Sequence, residues 1–169
     1  MQKSFLTWGL GIGVVSAVLG VAGLVVGALV EPVRQQTTAE VVVTALFIRG
    51  MIVLLTLAVA FGLAYYAGTR VAVTTSSRER APIDAAIAGG LVMACYWVAT
   101  TICIILQGNA DVREASVLTL RVVFGVLFVL IGAGLGGLGA RAFAARQLLP
   151  NVLATPAAPP ASPSGADDA

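Results

Sequence analysis

The chain contains no histidine, and only 11% of its 169 residues are charged, against about 25% in an ordinary soluble domain. Without imidazole, the commonest general base and the commonest metal ligand are both missing. Cysteine is scarce. Cys95 and Cys103 are the two present, eight residues apart in one apolar segment. On a helix that spacing is about 12 Å, beyond disulfide reach, so both read as packing residues. Acids are missing where chemistry in a membrane needs them. Apart from Asp84, at the start of its segment, no Asp or Glu interrupts a long apolar run. A proton relay or an intramembrane protease would need such groups. No glycine-rich phosphate loop occurs outside the apolar segments. The net charge of +2 leaves no basic footprint for nucleic acid. The composition therefore points to a chain that is not an enzyme, with no cofactor and no nucleic-acid partner.

What the chain has is apolar sequence, with 59% of residues hydrophobic. A soluble domain of this size has too little interior to hide that much. About 20 apolar residues cross the hydrocarbon core as a helix. Four segments qualify, at about 5–30, 41–69, 82–107 and 115–141. The predicted fold is all-α: a polytopic membrane protein built as a four-transmembrane-helix bundle over residues 1–149. The first segment is longer than a signal-peptide core and is read as an uncleaved span. Thr37 with Glu40 and Asp111 with Glu114 form capping-box patterns ahead of the second and fourth helices. Pro82 suits the first turn of the third helix, and Gly108–Asn109 its stop. Pro150 is expected to end the fourth, leaving 150–169 as an Ala/Pro/Ser-rich disordered tail.

Orientation follows the basic residues. Lys3, Arg70, Arg78, Arg80, Arg141 and Arg146 lie on the side of the termini, against Arg34, Arg49, Arg113 and Arg121 on the other. In a bacterial cell membrane this places both termini in the cytoplasm, with Trp8, Tyr65 and Tyr66 near the cytoplasmic interface.

The second and fourth segments resemble each other. Aligning Arg49 with Arg121 also matches Leu46 with Leu118, Leu55 with Leu127, Gly62 with Gly134 and Leu63 with Leu135. Two tandem helical hairpins would produce this, related by a pseudo-two-fold axis along the membrane normal.

The first segment carries a helix-packing stripe. Gly9, Gly13, Ser16, Gly20, Gly23 and Gly27 are spaced 4, 3, 4, 3 and 4 apart. This is a heptad of small residues on one face, which lets a partner backbone approach closely. The partner is either another helix of this chain or a second membrane protein, including a second copy. Gly125, Gly132, Gly136 and Gly139 of the fourth segment offer an internal match, as do Ala60, Ala64 and Gly68 of the second. Tyr96 and Trp97 are expected to fill the groove that the stripe leaves.

Arg49 and Arg121 are the ionisable residues most worth following, since charge within a span is the usual mark of function. They either reach to lipid phosphates at the outer interface or converge at the mouth of the bundle. There they would hold an anionic headgroup or solute, or pair with Glu31, Glu40, Asp111 or Glu114. The lipid bilayer is the partner implied in either case. A structural, assembly or partner-modulating role is expected, with a channel or transporter component handling an anion as the alternative.

Overall fold

The computed structural model describes residues 4–29, 39–75, 79–107 and 115–153. Four helices occupy almost all of them: α1 (Ser4–Leu29), α2 (Ala39–Thr74), α3 (Ala81–Leu106) and α4 (Ala115–Leu153). Each is long and apolar enough to cross a bilayer. No strand occurs among the described residues. Lys3, Glu31, Arg34, Thr37, Arg78, Gly108, Asn109, Asp111, Arg113, Glu114 and residues 154–169 lie outside them.

The helix ends reflect local chemistry. Pro82 and Asp84 stand in the first turn of α3, where a missing N–H does no harm and a negative charge faces the helix dipole favourably. At its far end the Gln107 N–H donates to the Cys103 carbonyl at 3.0 Å. α2 and α4 run past the expected boundaries at 69 and 141, to Thr74 and Leu153. The added stretch of α4 begins Ala-Phe-Ala-Ala-Arg-Gln-Leu-Leu, mostly strong helix formers that need no membrane to stay helical. Pro150 lies within the helix rather than at its end. It removes one backbone hydrogen bond close to a terminus, where less helix remains to be disrupted.

α2 and α3 each touch all three other helices, whereas α1 and α4 share no contact among the described residues. In cross-section this is a rhombus, with α2 and α3 across its short diagonal. The pairs aligned between the second and fourth segments share the same exposure: Leu46, Leu55 and Gly62 face outward, as do Leu118, Leu127 and Gly134. The packing nonetheless departs from the expected two-fold. That axis would make α1·α4 the counterpart of α2·α3, and only the second of these contacts exists.

The core inverts the pattern of a water-soluble protein. Its buried apolar residues are mostly alanines, including Ala60, Ala64, Ala67, Ala85 and Ala88, and Met93 is the largest fully buried side chain. Large apolar side chains such as Leu10, Val18, Phe47, Leu54, Leu55 and Leu130 face outward. Small residues inside allow close helix approach, and large ones outside meet a solvent that is itself apolar.

Candidate functional site

All six members of the α1 stripe are buried, and their partner is chiefly α3. A β-carbon on Gly9 would stand 3.1 Å from the Ala88 Cα, and one on Gly13 would stand 2.9 Å from the Cys95 Sγ. On Gly20 it would lie 2.6 Å from the Tyr96 ring. Towards its C-terminus the stripe passes to α2, with Gly23 under Thr56 and Gly27 under the aliphatic stem of Arg49. The glycines of α4, expected to match the stripe, do not reach α1. They serve a second seam: Gly132 meets Gly89 and Met93, Gly136 meets Ala85, Gly89 and Gly68, and Gly139 meets Tyr65 and Thr69. Here the backbones of α2 and α3 each touch that of α4 with no side chain between.

Tyr96 and Trp97 separate. Tyr96 fills the groove at Gly20, and its hydroxyl lies 3.4 Å from the Thr56 Oγ1. Trp97 instead turns to α4, where its indole lies flat against Gly125 and its centroid is 5.1 Å from that of Phe128. Thr100 donates to its own helix, to the Tyr96 and Trp97 carbonyls at 2.9 and 3.0 Å. Thr101 departs from that pattern and accepts a long hydrogen bond from the Arg121 Nη1 at 3.4 Å. Ser16 is fully buried, and its hydroxyl has no hydrogen-bond partner among the described residues. It acts in the stripe by its size.

A gap remains in the half of the bundle opposite the second seam, beside Gly20 and Gly23 of the first. A cavity of about 340 Å³ opens there among all four helices, bounded by Gly20, Gly23, Thr56, Tyr96, Thr100 and Phe128. Arg49 and Arg121 both line it. The sequence suggested this convergence without fixing it. Each arginine is half-buried, and no acidic residue is among the described residues that line the cavity. A pair of guanidinium groups above apolar walls presents fork-shaped donors suited to the oxygens of a phosphate, sulfate or carboxylate.

Helix length gives the level at which this cavity sits. Arg49 and Arg70 are 21 residues apart on α2, and Arg121 and Arg141 are 20 apart on α4. Both intervals correspond to about 30 Å of helix, the thickness of a hydrocarbon core. The arginine pairs thus mark two parallel levels. Arg49 and Arg121 stand at one, at the mouth of the cavity. At the other, Arg70 donates through Nε to the Tyr66 hydroxyl at 2.6 Å, and its guanidinium lies 5.7 Å from the Trp8 ring centroid.

Two further openings lie on the outer side of the α3–α4 seam. One, of about 440 Å³, is bounded by Trp97, Val98, Ile102, Val122 and Arg121. The other, of about 810 Å³, is bounded by Pro82, Ile87, Gly134, Leu138 and Arg141. Ala94 and Val129 border both, so they form one groove along the outside of the bundle. Sequence pattern gave no sign of it, because it depends on how α3 and α4 pack side by side.

In comparisons with protein-family models, with curated proteins and with solved structures, nothing matches this chain.

Proposed function

We propose that this chain is a small integral membrane protein that crosses a bilayer four times and performs no covalent chemistry of its own. It holds an anionic group in the cavity shared by Arg49 and Arg121, and by doing so serves a structural, assembly or partner-modulating role. The observation that carries this reading is the meeting of both arginines on one four-helix cavity. The outward-facing Leu, Val and Phe side chains support embedding in lipid. The excess of basic residues on the side of the termini supports a cytoplasmic location for both.

An anion channel or transporter component is the second reading, favoured by the same arginines. Against it stands the other half of the bundle, where Gly68 meets Gly136 and Gly89 meets Gly132 backbone to backbone. A pore continuing the cavity along the axis would have to part these contacts.

The test is calorimetric titration of the detergent-solubilised protein with a short-chain phosphatidylglycerol and with inorganic phosphate. A short-chain phosphatidylcholine serves as the control. Arg49→Gln or Arg121→Gln should each weaken anion binding about tenfold, as expected for one charge-assisted contact. Binding that both substitutions leave untouched would sink the proposal. Arginine-dependent anion flux into liposomes would replace it with the transport reading.

A further inference from the structure

The cavity and the outer α3–α4 groove share a wall. Trp97 and Arg121 line both. The indole of Trp97 reaches this position because Gly125 offers no side chain: a β-carbon there would stand 2.6 Å from the Trp97 Cδ1. The groove beyond is almost wholly apolar. It begins at Arg121 and ends at Arg141, a distance of about 30 Å along α4. No acidic residue is among the described residues that border it.

We infer that the ligand of the arginine cavity is a membrane phospholipid with an anionic headgroup, admitted sideways from the bilayer past Trp97. One acyl chain lies in the α3–α4 groove, and the phosphate rests on Arg121 with Arg49 behind it. This inference rests on the anion-binding reading above and adds the source and the route of the anion. Two features select this occupant. The groove is of hydrocarbon character and as long as two leaflets are thick, so that its Arg121 half suits one acyl chain, and the cationic end that adjoins the cavity stands at headgroup level. A water-soluble anion would have no use for the groove, and a zwitterionic lipid would bring a cation to the arginines along with its phosphate.

Trp97 is itself the reporter. The chain has two tryptophans, so Trp8→Phe leaves Trp97 as the sole tryptophan, excited selectively at the red edge where tyrosine does not absorb. The full chain bearing this substitution is reconstituted in mixed phosphatidylglycerol and phosphatidylcholine vesicles. Bromine is carried on the acyl chains of one lipid or the other, and quenching is compared at equal mole fraction. Brominated phosphatidylglycerol should quench Trp97 well beyond its share of the bilayer. Adding Arg121→Gln should reduce that preference about tenfold, and Arg121→Lys, which keeps the charge, should retain most of it. Equal quenching by the two lipids would overturn the inference, as would a preference that survives Arg121→Gln. If inorganic phosphate still bound in an arginine-dependent way, only the lipid route would fall. Loss of both would remove the cavity reading as well.

Discussion

Gly68 of α2 and Gly136 of α4 meet backbone to backbone, so that a β-carbon on Gly68 would stand 2.6 Å from the Gly136 Cα. Nothing flexible lies between them to give way. Gly136→Val is therefore expected to force α2 and α4 apart and to destabilise the bundle by about 1–3 kcal/mol, the usual range for overpacking. Gly62 and Gly134 lie on the same helices with open space where a β-carbon would go. There Gly→Ala should stabilise by up to about 1 kcal/mol through helix propensity alone. Thermal unfolding in detergent, followed by circular dichroism, should show opposite shifts for the two classes. Shifts of the same sign would contradict the seam.

Ser16→Ala should be neutral or mildly stabilising in the same assay. The Ser16 hydroxyl is buried without a partner, a state that costs about 1–3 kcal/mol of desolvation relative to a satisfied group. A clear loss of stability would mean that the hydroxyl has a partner that matters.

Tyr96 combines a weak polar contact with a large packing role. Tyr96→Phe removes the 3.4 Å contact with Thr56 and should cost less than about 1 kcal/mol. Tyr96→Ala empties the space over Gly20 and should cost about 3–5 kcal/mol, as for other large aromatic truncations. Equal costs for the two would contradict this division.

Because Arg49 and Arg121 line one cavity, their effects on anion binding should not add. The double variant Arg49→Gln/Arg121→Gln is expected to depart from the sum of the single variants by about 0.5–3 kcal/mol, as neighbouring residues with a shared partner do. Strict additivity in titrations with phosphatidylglycerol would place the two arginines at separate sites.

Orientation can be read at Glu79, which is exposed between α2 and α3. With Cys95 and Cys103 replaced by serine, Glu79→Cys should resist a membrane-impermeant thiol reagent applied to intact cells and react once the membrane is opened. Labelling on intact cells would place the termini outside.

The helices were legible in the sequence because the length and continuity of apolar runs are one-dimensional properties. So was the buried face of α1, since a 4-3 spacing of small residues fixes which side is smooth. Its partner was not. Smooth faces on α2, α3 and α4 are interchangeable in sequence, and only the rhombic packing assigns α1 to Ala88, Cys95 and Tyr96 rather than to Gly132 and Gly136. Arg49 and Arg121 stood out as charges bordering apolar runs, but the cavity that unites them exists only through the splay of four helices. Trp97 was misplaced for the same reason. Its neighbour Tyr96 faces α1, and one step of about 100° along α3 carries Trp97 round to α4.

The missing contact between α1 and α4 bears on how the chain is made. Of these four helices α4 is synthesised after the others and finds both of its neighbours, α2 and α3, already made. α1 precedes both of its partners, and the surface that Gly9, Gly13 and Gly20 fit is on α3, two helices later. Until α3 is inserted, that smooth face lies open to lipid and to any passing helix of complementary shape. The stripe that holds the finished bundle together is thus also its point of greatest exposure during biosynthesis.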